Sequence, residues 1–157
     1  MKDGQNLPTP MPQNAAIPLP APVQRILVVD DNKDIRQLSV DALKESGYEV
    51  DGVKDGVAGW EALQENYYDL IITDNQMPRM TGIRLLEELR FARMSVPTIM
   101  HTSHLPAFEF ARKPWLRPNA FLQSPCSNDD LLATVKKVLS ESEGDNGLTK
   151  TLLPNYL

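Results

Sequence analysis

Two short runs constrain this chain more than any other feature: RILVVD (25–30) and DLIITD (69–74), apolar almost throughout and each closed by an aspartate. A strand with one face in water alternates polar and apolar residues. An unbroken apolar run of this length suits a strand covered on both faces, as in a parallel sheet. The neighbouring segments agree. Ile35, Leu38, Ala42 and Leu43 recur at helical spacing and Gly47 closes the helix. Residues 48–53 alternate as a short strand, Asp55-Gly56 reads as a turn, and 57–65 form a helix weakened by Gly59. Beyond the second run, Ile83, Leu86, Leu89 and Arg90 mark a helix with apolar and charged sides. PTIMHTS (97–103) is a fourth strand and AFLQS (120–124) a fifth. Ser127, with Asp130 three residues on, opens a last helix striped by Leu131, Leu132, Val135, Val138 and Leu139. Strands alternating with helices imply an α/β fold, a parallel sheet with helices on both faces.

One domain accounts for this pattern. Six of the 13 prolines (Pro8, Pro10, Pro12, Pro18, Pro20, Pro22) fall within residues 1–22. Proline lacks a backbone N–H and biases its predecessor toward extended backbone, so this stretch reads as a Pro-rich disordered tail. It is a linker or, through its PxxP spacing, a proline-recognition ligand. Residues 143–157 read as a C-terminal tail, and 23–142 as the folded domain, about 120 residues being enough for a proper core. No run approaches the roughly 18 apolar residues of a membrane span, and residues 1–22 lack the apolar stretch of a secretory signal. A lone cysteine, Cys126, cannot form an intramolecular disulfide, so a cytoplasmic location is expected. Sixteen Lys and Arg against 21 Asp and Glu, a net charge of −5, oppose nonspecific attraction to phosphate backbones or anionic lipid. No G-x-G-x-x-G follows the first strand, which argues against a dinucleotide enzyme.

In sheets of this kind ligands bind beyond the carboxyl ends of the strands. Three carboxylates fall there: Asp30 and Asp31 after the first strand and Asp74 after the third. If these strands are neighbours, the three converge. Like charges a few ångströms apart resist joint ionisation, so the cluster calls for a cation or a shared proton. Oxygen ligands without His or Cys beside them favour Mg²⁺. The competing reading is that an Asp, or Asn32, only caps the helix that follows.

ILVVDDN, then LIITDNQMPRMTG (70–82), then PTIMHTS resemble the receiver domain of two-component response regulators, over about residues 23–142. The pattern of Asp74, Met77, Pro78, Met80 and Gly82 is long and specific. This resemblance implies a flavodoxin-like (βα)5 fold with strand order 2-1-3-4-5. It implies that Asp74 accepts a phosphoryl group from a sensor histidine kinase or phosphotransfer protein, as an acyl phosphate. Asp31, Asp74 and the Gln76 backbone carbonyl would bind Mg²⁺, with Asp30 helping through water. Thr102 would hydrogen-bond the phosphoryl group, and Phe121 matches the switch aromatic that moves with it. A carboxylate is a poor nucleophile toward an anionic phosphoryl group, so such a site works by positioning and charge neutralisation. The competing reading of Thr102 is simple strand packing. The Gln76 side chain could orient a hydrolytic water or simply sit on the rim.

Two departures from the family pattern stand out. The family places a lysine before the proline that ends the fifth strand; here the position is Ser124, in LQSPC, a short neutral donor instead of a long cation. Loss of a preformed donor commonly costs ~10²–10³ in rate. His104 could donate from the rim, whereas His101, inside a buried-strand pattern, reads as a satisfied core residue. The resemblance suggests a cis Ser124–Pro125 bond. The second departure lies in residues 105–119, where the fourth helix belongs. Pro114 and Pro118 would each cost ~3 kcal/mol in a helix interior, so at most 107–113 can be helical and the fourth helix is short or irregular. Phe108, Phe110 and Trp115, interleaved with Arg112, Lys113 and Arg117, form a sheet-edge cover, a protein-binding patch or, less in keeping with the acidic whole, a nucleic-acid grip. Cys126 reads as a packed, unactivated thiol.

The leading expectation is a single-domain receiver that relays a kinase signal through contacts with a downstream protein, with dimerisation possible and no membrane involvement. Such a chain is a phosphoacceptor rather than an enzyme, at most catalysing its own phosphotransfer and autodephosphorylation. About 15 residues follow the last helix stripe, too few for a DNA-binding domain. The alternative is a phosphorylation-independent pseudo-receiver interaction module, favoured by Ser124 and the proline-broken fourth helix. An aspartyl-phosphate phosphatase is disfavoured because Gln76, not a second carboxylate, stands two residues after Asp74.

Overall fold

The computed structural model describes Gly4 and residues 19–152, with side chains described as far as residue 144. Most of the Pro-rich stretch therefore lies outside the described residues. Five parallel strands, β1 (Arg25–Val29), β2 (Glu49–Val53), β3 (Leu70–Thr73), β4 (Thr98–Thr102) and β5 (Ala120–Gln123), form one sheet in the order β2-β1-β3-β4-β5. The helices are α1 (Lys33–Glu45), α2 (Gly56–Glu65), α3 (Gly82–Phe91), α4 (Ala107–Arg112) and α5 (Asn128–Leu152). This is the flavodoxin-like doubly wound arrangement expected, and β1 and β3 are neighbours in the sheet.

The apolar runs become buried strands because both faces of the sheet are covered. Alternate residues of β1 serve opposite cores. Ile26 and Val28 join Val40, Leu43, Ile72, Ile99 and Val135 beneath α1 and α5. Leu27 and Val29 join Leu63, Ile71, Leu85, Met100 and Phe110 beneath α2, α3 and α4. Each fully buried Leu or Ile contributes about 1.5–3 kcal/mol of transfer free energy, which holds the helices where the sheet's carboxyl edge needs them.

Local signals set the element ends. Gly47 adopts φ 96°, the left-handed conformation that glycine takes without strain, just after α1. Asp55, expected in a turn, is the N-cap of α2: its side chain accepts from the Ala58 N–H. Ser127 accepts from the Asp130 N–H at the start of α5, as its spacing suggests. The fourth helix is cut short as the prolines require, ending at Arg112, with a single 3₁₀ turn at Pro114–Leu116. One boundary differs. α5 runs on to Leu152, through residues read from the sequence as the start of a C-terminal tail. Gly144 and Gly147 lower helix propensity there without interrupting the hydrogen-bonded turns. None of the described helices is long and apolar enough to cross a membrane.

Candidate functional site

The register of the central strands assembles the site. Val29 pairs with Thr73 in β1–β3, and Thr73 pairs with Met100 in β3–β4. One residue further along lie Asp30, Asp74 and His101, and His101 pairs with Leu122 in β5. Paired residues of a parallel sheet project to the same side. Asp30, Asp74 and His101 thus form one row across the carboxyl edge, on the α1–α5 side. They line a cleft of about 330 Å³ together with Asp31, Asn32, Ile35, Gln76, Ser103 and Ser124. Carboxylate oxygens of Asp30, Asp31 and Asp74 all lie within 4.8 Å of one another.

Capping does not account for the carboxylates. The α1 cap is Asn32, whose side chain accepts from the Asp34 and Ile35 N–H groups. Asp30 accepts from the Asn32 N–H at 2.9 Å and is 6% exposed. Burial, reinforced by the charges of Asp74 and Asp31 and opposed by that hydrogen bond, pushes its carboxyl up to about 6. Three carboxylates crowded to this degree could hold a cation, and the all-oxygen set suits a hard divalent ion such as Mg²⁺. Among the described residues the Gln76 carbonyl accepts no backbone hydrogen bond, and Gln76 lines the same cleft. The residues present therefore fit the ion.

The loop after Asp74 is held rigidly. The Asp74 carboxylate accepts from the Asn75 N–H at 2.6 Å. Asn75 clamps the start of α3, its carbonyl accepting from the Gly82 N–H and its side chain from the Ile83 N–H. A Cβ at Gly82 would fall onto the Asp74 carbonyl oxygen, so only glycine permits this approach. Across the loop, Arg79 sits at φ 68° and pairs with the buried Asp55. The Ala58 N–H and this guanidinium hold the Asp55 carboxyl below the usual carboxylate range.

Other residues are placed differently from one another. Thr102 is buried, and its hydroxyl is engaged with the His104 backbone, donating to the carbonyl at 3.3 Å. It does not line the cleft. Phe121 is 40% exposed and meets Phe110 edge-to-face at 5.5 Å. Ser124 reaches the cleft, its N–H donates to the Thr102 carbonyl, and Ser124–Pro125 is cis. Neither Lys nor Arg lines the cleft among the described residues. The aromatic-basic segment divides: Phe110 enters the core, while Phe108 and Trp115 stay exposed, with Arg112 over the Phe108 ring.

His101 is the residue sequence reasoning undervalued. It is buried, as a core histidine would be, yet it also opens on the cleft. Strand parity carried the signal: His101 shares the side of Ile99, and its row contains Asp74. The Asp55–Arg79 pair was likewise unanticipated, because it joins residues 24 positions apart, and the Asn75 clamp on the start of α3 depends on how its loop folds back.

A family model for the response regulator receiver domain matches residues 26–136. The chain is 30% identical over 112 residues to the transcriptional regulatory protein DltR of Streptococcus agalactiae, covering 71% of this chain and 50% of that one. The chain spans about half the length of the curated relatives it matches first. Among solved structures, a CheY-like receiver domain protein of Methanospirillum hungatei superposes with TM-score 0.74 at 27% identity, covering 79% of this chain and 99% of that one. The response regulator TrrA of Thermotoga maritima, in complex with Mg²⁺ and BeF, gives TM-score 0.66 at 30% identity, with 74% and 99% covered. Sheet order, the acidic cleft and the family match together place this chain in the response regulator receiver domain family.

Proposed function

We propose that the chain is a phosphoacceptor in two-component signalling, taking a phosphoryl group on Asp74 from a histidine kinase or phosphotransfer protein. The observation that carries this reading is the convergence of Asp30, Asp31 and Asp74 within 4.8 Å at the sheet's carboxyl edge. An Asp74 carboxylate oxygen attacks phosphorus, an O–P bond forms, and the N–P bond to the donor histidine breaks with its electron pair returning to nitrogen. Asp31, Asp74 and the Gln76 carbonyl would hold Mg²⁺, with Asp30 helping through water, and the ion would supply neutralisation of the phosphoryl charge. The chain's own contribution is positioning: Gly82 and Asn75 seat the Asp74 loop, and Asn32 fixes Asp30 through its backbone N–H. The Thr102 hydroxyl, now turned to His104, would swing to the phosphoryl group, and Phe121 would move with it. The protein is a signalling acceptor acting by contact with a downstream protein, not an enzyme with a separate substrate.

A second reading has its own support. With neither Lys nor Arg on the cleft among the described residues, phosphoryl binding there lacks a fixed cation, as expected of a phosphorylation-independent module. Intact-protein mass after incubation with a small phosphodonor, with and without Mg²⁺, separates the two. A Mg²⁺-dependent single phosphate, absent from Asp74→Asn, is expected. No adduct from a donor or a purified kinase that labels other receivers would leave the second reading standing.

A further inference from the structure

A phosphoryl group on Asp74 brings two negative charges into a cleft already holding carboxylates, and a divalent ion on one side leaves oxygens on the other to be met by protein donors. The cleft-lining side chains opposite Asp30 and Asp31 are His101, Ser103 and Ser124. Ser103 is exposed and its hydroxyl already meets His104 Nδ1 at 3.0 Å. Ser124 is short. His101 is next to Asp74 in the strand register, on the same side of the sheet, and 6% exposed.

The ring is held at one nitrogen. His101 Nε2 lies 3.5 Å from Cys126 Sγ. Burial pushes the Cys126 thiol up, and a thiol that keeps its proton can donate S–H to Nε2 in the ring tautomer protonated at Nδ1. A neutral ring that accepts at Nε2 carries its proton on Nδ1. Nδ1 takes no hydrogen bond among the described residues, yet no buried side-chain nitrogen or oxygen among them lacks a partner. Nδ1 is therefore open to solvent, in a residue that lines the cleft.

We propose that His101 is a phosphoryl-binding residue: its Nδ1–H donates to an oxygen of the phosphoryl group carried by Asp74, the contact that Ser124 is too short to provide. The inference rests on the reading of Asp74 as phosphoacceptor. Cys126 is the positioning residue that sets the tautomer. No bond is made or broken at His101.

The test compares wild type with His101→Val, His101→Gln, Ser124→Lys and the His101→Val/Ser124→Lys pair, using beryllofluoride with Mg²⁺ as the probe and ¹⁹F NMR of the bound species as readout. Hydrogen bonds to charged groups contribute about 1.5–3 kcal/mol, so His101→Val should weaken beryllofluoride binding roughly 10- to 100-fold. Gln retains an N–H donor and should restore most of the loss. In the Ser124→Lys background, where a cation reaches the site, the His101→Val effect should shrink to about 3-fold or less. Long-range ¹H–¹⁵N spectra of wild type should show the Nδ1–H tautomer, with that proton shifting on adduct formation. Equal binding by wild type and His101→Val, or an equal loss from His101→Val with and without Ser124→Lys, would overturn the proposal while Asp74 still forms its adduct. No adduct in any of the five proteins would overturn the phosphoacceptor reading itself, and this proposal with it.

Discussion

Replacing Asp30 by Asn should make the metal-free protein more stable at neutral pH. Asp30 sits almost wholly out of water beside two other carboxylates, and its carboxyl moves from an ordinary 3.8 to about 6 on folding. At about 1.4 kcal/mol for each tenfold change in proton affinity, that shift corresponds to at most about 3 kcal/mol of cost for the ionised form. Water at the mouth of the cleft screens part of it, which brings the expected gain in Asp30→Asn to roughly 1–2 kcal/mol. The sign follows from the raised value. Below 3.8 the carboxyl is protonated in both states and costs nothing; the penalty grows as pH rises from about 4 to 6, and above 6 it is fully in place. Asn keeps the Oδ1 that accepts the Asn32 N–H, so the loop geometry survives. Urea unfolding at pH 4, 5, 6 and 7 in EDTA should show variant and wild type converging at pH 4 and separating by pH 7. Mg²⁺ should narrow the gap by stabilising wild type more than the variant. An Asp30→Asn protein less stable than wild type at pH 7 without metal, or a gap that does not change with pH, would refute the crowded-carboxylate reasoning.

Gly82→Ala should destabilise by about 2–4 kcal/mol in urea titration, since its Cβ meets backbone that has no room to yield, and it should abolish adduct formation at Asp74. Asp55→Ala removes the α2 cap and the buried partner of Arg79; a loss of about 1–2 kcal/mol is expected at pH 7. Because the Asp55 carboxyl is held below its ordinary range, first by the Ala58 N–H and then by Arg79, that stabilisation exists above about pH 4 and fades below it. Thermal melts of the two proteins should therefore approach each other at pH 3. Phe110→Ala should cost about 3–4 kcal/mol and speed amide exchange throughout Ala107–Arg112, because this short helix has one buried anchor and no side-chain N-cap. Unchanged exchange there would place the anchor elsewhere, on the Glu87–Lys113 pair or the Arg90 bond to the Trp115 carbonyl.

Much of the site was legible because parallel sheets tie chemistry to periodicity. RILVVD and DLIITD must be buried strands, and aspartates at their carboxyl ends must then share an edge. The proline limits on α4 and the Ser127 cap were equally local, and local rules decided them. Thr102 was not legible in this way. Its position at a strand end is periodic, but the direction of its hydroxyl depends on the backbone of His104, which no spacing encodes. Asp55 looked like a turn residue because Asp-Gly is a turn pair; that it would also grip Arg79, 24 residues on, depends on how two loops meet.

By itself, the sequence determined the fold class, the burial of the central strands and the gathering of three carboxylates. These follow from short-range patterns whose energetic consequences are large and repeated. Only the tertiary structure decided which carboxylate is most deeply desolvated, that Asn32 rather than an aspartate caps α1, and that Asp74 has His101 as its cross-strand neighbour. Those outcomes depend on the β1–β3–β4 register and on side chains approaching within a few ångströms across it, distances that a one-dimensional pattern does not carry.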